Sequence, residues 1–203
     1  GRNLVEFFKA EVAAGRLPAN LLPLQSGVGS VANAIINGLV NSDFKDLTVY
    51  TEVVQDGMFD LIDAGKLTVC SGTALSPSPE ALEKFYANVE KYKKYIILRP
   101  QEVANSPEVA RRIGVIAMNT AIEVDIYGNV NSTHITGTKM MNGIGGSGDY
   151  ARNGYLTVFF TNSVAKNGDI SSVVPMVAHH DHTGHDGDII VSERGVADLR
   201  GKC

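Results

Sequence analysis

Residues 46–72 read DLTVYTEVVQDGMFDLIDAGKLTVCSG and contain two strand patterns separated by a helix pattern. Alternating β-branched residues predict a strand over 46–53, and LTVCSG at 67–72 predicts another. Between them, MFDLIDAG has helical spacing, and Gly65 is placed to end that helix. A strand, a short helix and a second strand in succession predict neighbouring parallel strands in an α/β sheet.

The same alternation continues on both sides of this unit. Further helices are predicted at 3–14, 31–40, 78–94 and 106–114, and further strands at 21–24, 95–100, 155–163, 170–177 and 188–194. Residues 115–136 contain two β-rich runs joined at Tyr127-Gly128-Asn129, which predicts a hairpin. We therefore predict an α/β fold, with a mostly parallel open sheet flanked by helices and some antiparallel additions, as a single domain over residues 1–203.

Composition excludes several classes of protein. The chain has 203 residues, 44% of them hydrophobic, which suffices for a buried core. Eighteen Lys and Arg against 22 Asp and Glu give a net charge of −4 without blocks of like charge. That balance argues against a nucleic-acid-binding face and a polybasic membrane surface. No apolar run approaches the roughly 18 residues of a membrane span, and the charged opening does not resemble a signal peptide.

The cysteine and glycine contents point to a compartment and to loops. Two cysteines, Cys70 and Cys203, are too few for a disulfide scaffold or a zinc site, so we expect the cytoplasm, or the mitochondrion if the protein is eukaryotic. The 21 glycines exceed the typical ~7% and cluster, which indicates loops where backbone approaches a ligand.

Two of these clusters are candidate binding loops. The first glycine loop (residues 26–30, SGVGS) lies between a predicted strand and a helix, where backbone N–H groups and the helix N-terminus attract an anion. A tight turn is the alternative. The second glycine loop (residues 142–149, NGIGGSGD) has four glycines in six residues, which costs conformational entropy. Amides that bind an anion or an acyl oxygen would explain that cost, and a flexible connector is the alternative.

Glu52 is the candidate acidic residue beside these loops. It comes at the carboxyl end of a predicted strand, and ligands of parallel α/β sheets collect outside such ends. It follows the first glycine loop by about two dozen residues, so the two meet if their strands are neighbours. Before any resemblance is considered, a solvated glutamate at the sheet edge is the simpler interpretation.

Other ionisable residues favour structural roles. The histidine-rich run HHDHTGHD at 179–186 lacks the ligand spacing of a standard zinc site, so we expect hydrogen bonds that order a loop, with metal binding as the alternative. His134 stands apart in a predicted strand and is interpreted as structural. Glu123 and Asp125 share one strand face and can pair as acid and base, although a solvated hairpin is simpler.

Five stretches together resemble the class I coenzyme A (CoA) transferases, in the acetyl-CoA hydrolase/transferase branch. They are LQSGVGSVANAIINGLV, TEVVQDGMFDLIDAGKLT, ILRPQEVANSPEVARRIGVIAMNTAIEVDIYGNVNST, KMMNGIGGSGDYARN and DHTGHDGDIIVSERGVADLRG. They cover most of the chain in the expected order, and the likeness is greatest to the succinyl-CoA:acetate type. The resemblance implies the CoA-transferase fold.

The resemblance also implies a mechanism. Thr51-Glu52-Val53-Val54-Gln55-Asp56-Gly57 matches the (S/T)E-x-x-x-DG-like motif of the family, which makes Glu52 the nucleophile that carries a glutamyl-CoA thioester. The amides of Val28 and Gly146 become the donors that stabilise oxyanions. CoA and acyl-CoA are then substrates, and neither a tightly bound cofactor nor a metal is needed.

Further site residues follow from the resemblance alone. The residues implied to contact CoA are Gly27, Val28, Gly29, Ser30, Val31, Asn142, Gly146 and Lys166. Asn105 and Glu193 match polar residues near the active site of the family. They order the carboxylate substrate or, alternatively, make buried hydrogen bonds.

The resemblance finally implies partners and an activity. Family members usually have two similar α/β halves, and this chain resembles the second, so we expect an N-terminal half to complete the site, with a homodimer as a further expectation. The expected function is CoA transfer between a short-chain acyl-CoA, acetyl-CoA or succinyl-CoA, and a carboxylate. The alternatives are an acetyl-CoA hydrolase and a non-catalytic CoA-binding lobe of a larger transferase.

Overall fold

Helices alternate with strands in the first part of the chain, and short strands dominate the remainder. The computed structural model describes residues 1–202, so Cys203 lies outside the described residues. The helices are α1 (Arg2–Ala13), α2 (Ser30–Val40), α3 (Asp56–Asp63), α4 (Pro79–Ala87), α5 (Val89–Tyr92), α6 (Gln101–Ala104), α7 (Pro107–Ile113) and α8 (Ser147–Ala151), with one 3-10 turn at Lys166–Gly168.

The strands form one large sheet and several two- or three-stranded additions. They are β1 (Leu24–Ser26), β2 (Leu47–Tyr50), β3 (Val53–Val54), β4 (Leu67–Gly72), β5 (Ala74–Leu75), β6 (Ile96–Leu98), β7 (Ile116–Thr120), β8 (Glu123–Asp125), β9 (Val130–Asn131), β10 (His134–Ile135), β11 (Lys139–Met140), β12 (Leu156–Phe160), β13 (Val164–Ala165), β14 (Ile170–Ser171), β15 (Val173–Val174), β16 (Ile189–Val191) and β17 (Val196–Asp198).

The large sheet has the strand order β17-β16-β12-β7-β1-β2-β4-β6. Its strands pair in parallel except β17, which runs antiparallel to β16. The chain leaves β1 towards β2, β4 and β6, and later returns to the other side of β1 to form β7, β12 and β16. This reversal makes the gap between β1 and β7 a topological switch point, where α/β sheets bind their ligands. The predicted α/β fold class, mostly parallel with antiparallel additions, is confirmed.

Helices cover both faces of the sheet. Ile116 and Met118 of β7 join the main core with α1, α2 and α3, whereas Ala117 between them joins a smaller cluster with residues of α7 and α8. Successive residues of a strand point to opposite faces, so β7 is buried on both sides. This double burial explains why the central strands read as apolar runs in the sequence. No helix within the described residues is long and apolar enough to cross a membrane.

Most predicted elements are confirmed, with several differences. The strand predicted at 21–24 is displaced to Leu24–Ser26, and β17 and several two-residue strands were not predicted. Gly65 and Gly114 end α3 and α7 in the left-handed region, and β8 and β9 form the predicted antiparallel hairpin. The predicted helix 78–94 is divided into α4 and α5 at Asn88, whose φ of −132° is not helical. The strand predicted at 170–177 consists of β14 and β15. The short helices α6 and α8 were not predicted, because a single turn shows no apolar periodicity.

The Glu11 carboxylate links three parts of the chain, and its hydrogen bonds should make the stability of the fold sensitive to acid. Arg16 and Arg200 each donate two hydrogen bonds to it, at 2.7 to 3.1 Å, and its side chain is buried. The hydrogen bonds from Arg16 and then Arg200 lower the pKa of Glu11 from 4.5 to about 2. A lowered pKa contributes stability above pH 4.5, and this contribution is lost as the pH falls towards 2.

We therefore expect acid to destabilise the wild-type protein more than a Glu11→Gln variant. Between pH 5 and pH 2.5, the unfolding free energy of the wild-type protein minus that of Glu11→Gln should fall by on the order of 2 kcal/mol. Chemical denaturation of both proteins across this pH range measures it. Equal pH dependence in the two proteins would contradict this role of Glu11.

Candidate active site

A cleft opens at the switch point, outside the carboxyl ends of β1, β2 and β7. Its volume is about 280 Å³, and we call it the Glu52 cleft. It is lined by Gln25, Ser26, Gly27, Val28, Glu52, Val53, Asn119, Thr120, Ser132 and residues 142–147. Both glycine loops therefore border one cavity, although they lie more than one hundred residues apart in the sequence.

Glu52 is held at both its backbone and its carboxylate. Thr51, fully buried, donates from Oγ1 to the Ser26 carbonyl at 3.0 Å, which ties β2 to β1 at their carboxyl ends. The Glu52 carbonyl accepts the Thr73 N–H at 2.8 Å. The half-buried side chain then faces the second glycine loop, where Oε2 accepts the Gly146 N–H at 2.8 Å. This placement differs from that of a freely solvated glutamate at a sheet edge.

The second glycine loop packs against Glu52 without room for a side chain. A Cβ on Gly146 would lie less than 3.0 Å from both Glu52 Oε2 and Asn105 Nδ2, closer than real Cβ contacts. Gly145 adopts a φ of +55°, and Ser147 donates from Oγ to the Ile144 carbonyl at 2.9 Å, which closes the turn before α8. The loop thus forms a wall of the cleft that packs directly against Glu52.

The first glycine loop leaves one amide free. Gly27 donates its N–H to the Met118 carbonyl at 2.8 Å, and Gly29, at a φ of +109°, donates to Gln55 Oε1 at 3.0 Å. The N–H of Val28, between them, donates to none of the residues that the structure describes. Val28 lines the cleft and is exposed. A free amide at this position is available to a ligand.

Gln25 and Asn119 form a floor that the sequence did not predict. Their side-chain amides exchange two hydrogen bonds, at 3.0 and 3.1 Å, across β1 and β7, and Gln25 Oε1 also accepts the Met118 N–H. Both side chains are almost fully buried. The available signal was an amide side chain in each of two buried central strands, because a buried amide needs a specific partner.

Asn105 lies beside Gly146 and Glu52 with an unused amide. It follows α6, its side chain is 7% exposed, and neither Oδ1 nor Nδ2 has a hydrogen-bond partner among the described residues. Unpaired polar atoms are rare in protein interiors, since leaving them without partners is costly. Both atoms are buried behind Gly146, and Asn105 itself is not among the residues that line the cleft.

The remaining predicted contacts are spread over a wider surface. Asn142 lines the Glu52 cleft and donates to the Ser132 carbonyl at 2.5 Å. Lys166 is exposed on the 3-10 turn and does not line that cleft. Ser30, Val31 and Glu193 line a second cleft of about 680 Å³. The structure therefore separates Glu193 from Glu52.

Within this second cleft, Glu193 is hydrogen-bonded to Ser163 of the same chain. Its carboxylate accepts the Ser163 N–H at 2.9 Å and also accepts the Ser163 hydroxyl. The hydrogen bonds from Ser163 lower the pKa of Glu193 to about 2, so it is ionised at neutral pH.

The histidine-rich run makes hydrogen bonds around the second glycine loop. His182 is buried, and its Nε2 lies 3.2 Å from Ser147 Oγ. Because Ser147 donates to Ile144, His182 is the donor in this pair, and burial lowers the pKa of His182, which favours the neutral ring. Within residues 1–202, no three His, Cys, Asp or Glu side chains gather as metal ligands.

Glu123 and Asp125 are occupied in the β8–β9 region instead of pairing with one another. Asp125 Oδ1 accepts the N–H groups of Tyr127 and Asn129, which shapes the hairpin turn. Glu123 Oε1 accepts hydrogen bonds from Asn131 and from the Ala178 N–H. These bonds support structural roles for both carboxylates.

Comparison with known families decides the classification. Residues 82–203 match the family model described as the acetyl-CoA hydrolase/transferase C-terminal domain. The chain belongs to this family. The predicted resemblance is confirmed, and the matched residues include Asn105, the second glycine loop and the histidine-rich run.

Relatives of this acetyl-CoA hydrolase/transferase domain are longer proteins. The chain is 65% identical over 199 residues to the succinyl-CoA:acetate CoA-transferase of Clostridium kluyveri, covering 98% of the chain and 37% of the relative. It is 52% identical over 203 residues to the acetyl-CoA hydrolase of Schizosaccharomyces pombe, covering 98% and 39%. The chain thus spans well under half of the length of these two relatives.

Solved structures confirm the fold of the domain. RipA from Yersinia pestis superposes with a TM-score of 0.75 at 26% identity, over 95% of this chain and 44% of that one. The 4-hydroxybutyrate CoA-transferase from Porphyromonas gingivalis gives a TM-score of 0.68 at 22% identity, over 93% and 46%. The second likeness shows the fold, and the predicted CoA-transferase fold is confirmed.

Proposed function

We propose that the protein containing this chain transfers CoA between a short-chain acyl-CoA, acetyl-CoA or succinyl-CoA, and a carboxylate, with Glu52 as the nucleophile. The observation that carries this proposal is the position of the Glu52 carboxylate, which faces the cleft between the two glycine loops and accepts the Gly146 N–H at 2.8 Å. We further propose that residues 1–203 form one catalytic domain.

In the first step, a Glu52 carboxylate oxygen attacks the thioester carbonyl of the acyl-CoA. A C–O bond forms, the C–S bond breaks, and CoA leaves as its thiolate from a mixed anhydride. The tetrahedral intermediate carries an oxyanion on the acyl oxygen. The free Val28 N–H is available to stabilise it, and one such donor contributes roughly 2.7–4 kcal/mol.

In the second step, the CoA thiolate attacks the Glu52 carboxyl carbon of the anhydride. A glutamyl-CoA thioester forms and the first carboxylate leaves. The oxyanion of this step develops on the Glu52 carboxyl oxygen that remains bound to Glu52. The Gly146 N–H already donates to Oε2, so it is placed to stabilise charge there without rearrangement.

An acceptor carboxylate then reverses the sequence. It attacks the glutamyl-CoA thioester, expels the thiolate and forms a new anhydride, from which the thiolate takes the acceptor acyl group and frees Glu52. Each nucleophile and each leaving group is an anion, so no net proton is moved. Among the described residues that line the Glu52 cleft, the one carboxylate is Glu52, and no His, Lys or Arg side chain lines it.

Hydrolysis is the second candidate function, because a relative at 52% identity is named an acetyl-CoA hydrolase. Water that attacks the anhydride or thioester must give up a proton, which general-base catalysis would accelerate. No second ionisable side chain from the described residues lines the cleft to accept it. Transfer to a carboxylate needs no such base, and the relative at 65% identity is named a CoA-transferase, so transfer is the function that we favour.

The CoA moiety must extend beyond this small cleft. We propose that Gly27, Val28 and Gly29 contact its thiol end, with Asn142 nearby. Ser30, Val31 and Lys166 then contact CoA farther out. Lys166 offers a positive charge to a phosphate. Asn105 orders the carboxylate substrate. An N-terminal half that completes the site, a homodimer and a cytoplasmic or mitochondrial location remain predictions.

Chemical capture of the intermediate tests this proposal. We expect full-length protein incubated with acetyl-CoA to carry CoA on the peptide that contains Glu52, and hydroxylamine to replace it with a hydroxamate at that residue. Peptide mass mapping locates the modification. An unmodified Glu52, or CoA on another residue, would overturn the proposed nucleophile.

The same preparation separates transfer from hydrolysis. After acetyl-CoA and succinate are added, transfer produces succinyl-CoA at the expense of acetyl-CoA, whereas hydrolysis releases free CoA whether or not succinate is present. Release of CoA as the main outcome with several carboxylates would favour the hydrolase. If residues 1–203 are a non-catalytic lobe of a larger transferase, the full-length protein would still form succinyl-CoA, but Glu52 would stay unmodified.

A further inference from the structure

Two buried tyrosines meet behind the Glu52 cleft. Tyr50 ends β2, two residues before Glu52, and Tyr150 lies in α8, four residues after Gly146. Their rings pack edge to face with centroids 6.0 Å apart, and their exposed fractions are 6% and 1%. The pair therefore connects the two chain segments that carry Glu52 and its hydrogen-bond donor.

Both hydroxyls bind the same short segment. Tyr150 donates to the Ala104 carbonyl at 2.5 Å, and Tyr50 donates to the Val103 carbonyl. These carbonyls belong to the last residues of α6, where a helix leaves its carbonyl groups without partners in the helix. Burial raises the pKa of both tyrosines, so the hydroxyls remain protonated and able to donate.

The next residue along the chain is Asn105, whose amide the segment presents beside the cleft. Asn105 Nδ2 and Glu52 Oε2 both approach Gly146 so closely that a Cβ there could not be accommodated. Neither polar atom of the Asn105 side chain has a partner among the described residues, so no side-chain hydrogen bond holds it in place. Its orientation depends on the backbone of residues 103–105. The N–H groups of this backbone bond to the Pro100 and Gln101 carbonyls, and the two tyrosine hydroxyls hold the carbonyls of Val103 and Ala104.

Packing alone does not explain why these two positions hold tyrosine and not phenylalanine. Tyr50 and Tyr150 belong to a small core cluster with Ala110, Val115 and Ala117, and a phenylalanine ring would fill the same space. What phenylalanine would lack are the two hydrogen bonds to consecutive carbonyls immediately before Asn105.

We infer that Tyr50 and Tyr150 are positioning residues whose hydroxyl groups, by holding the carbonyls of Val103 and Ala104, aim the Asn105 amide at the reacting end of the Glu52 cleft. This inference rests on the proposed CoA transfer for its kinetic consequence. The arrangement of the segment itself does not depend on that activity.

The kinetic test uses full-length protein with Tyr50→Phe, Tyr150→Phe and Asn105→Ala, singly and combined. We expect each tyrosine variant to lower kcat roughly five- to tenfold, as for the loss of one buried hydrogen bond. The KM for acyl-CoA should stay unchanged, because Asn105 adjoins Glu52 and not the first glycine loop. In a protein that already carries Asn105→Ala, the tyrosine substitutions should not lower kcat further. When one residue acts through another, the effects of substituting both do not add.

Tyr92→Phe is the matched control, because Tyr92 is an equally buried tyrosine whose hydroxyl binds Asp63. It should lose stability without a change in kcat. Full additivity of Tyr150→Phe with Asn105→Ala, or wild-type kcat in both tyrosine variants, would overturn the inference.

A readout independent of activity separates this inference from the proposed function. In full-length protein with ¹⁵N-labelled asparagine, the side-chain amide signal of Asn105, assigned by its loss in Asn105→Ala, should shift or broaden in Tyr150→Phe and not in Tyr92→Phe. An unaltered signal in Tyr150→Phe would refute the positioning role, even if CoA transfer were confirmed. A shifted signal in a protein that transfers no CoA would refute the proposed function and retain the positioning.

Discussion

Replacement of Glu52 by glutamine in the full-length protein is expected to reduce CoA transfer by at least about 10³-fold, as the loss of a covalent nucleophile does in other enzymes. Glutamine has the same shape and its side-chain oxygen can still accept the Gly146 N–H, so the loop should keep its position. What glutamine lacks is a carboxylate able to attack a thioester. Initial rates of succinyl-CoA formation from acetyl-CoA and succinate measure the effect.

Two variants control for this substitution. Glu52→Asp keeps the carboxylate but withdraws it from the Gly146 N–H, so we expect a large loss of rate with residual acylation. Glu83→Gln removes one negative charge from the exposed surface of α4 and should leave the rate unchanged. Transfer by Glu52→Gln at the rate of Glu83→Gln would mean that another group is the nucleophile.

Alanine at position 146 is expected to lower the transfer rate by about 10²- to 10³-fold while the protein remains folded. The backbone of Gly146, with φ −82° and ψ 4°, is accessible to alanine. The new Cβ would instead collide with the ends of two side chains, Glu52 and Asn105, which must move away. The variant therefore displaces the carboxylate from its donor without a large change in the core.

Gly148→Ala is the matched control, because it lies in the same loop and its Cβ would make ordinary contacts of 3.5 Å and more with Arg152. We expect it to keep both rate and stability. Thermal unfolding of the two variants, measured together with their rates, separates displacement of Glu52 from loss of the fold. A Gly146→Ala protein that transfers CoA at the wild-type rate would show that contact between this amide and Glu52 is dispensable.

The sequence predicted the fold well because its signals are local. Alternating β-branched residues in 46–53, the apolar period of 31–40 and the glycine after α3 each act over a few residues. The failures also have a local cause. Helices α6 and α8 are too short to show a period, and Asn88 interrupts a pattern that otherwise reads as one helix.

The candidate site was predicted less completely. Glu52 and both glycine loops were singled out from residue type and position, and the structure brings them to one cleft. Gln25 and Asn119 were missed, since each gains its meaning only from a partner on the neighbouring strand. Glu193 was expected near the active site, yet it lines the separate cleft beside α2.

The sequence by itself determined the longer helices, most strands of the large sheet and both glycine loops, and that the chain belongs among α/β proteins. Only the tertiary structure decided that Glu52 meets the amide of a residue 94 positions away, and that the amide of Asn105 adjoins both. The physical reason is that hydrophobic period and backbone freedom are properties of neighbours in the chain. Contact between distant segments depends instead on strand order, here on the return of the chain to form β7 beside β1.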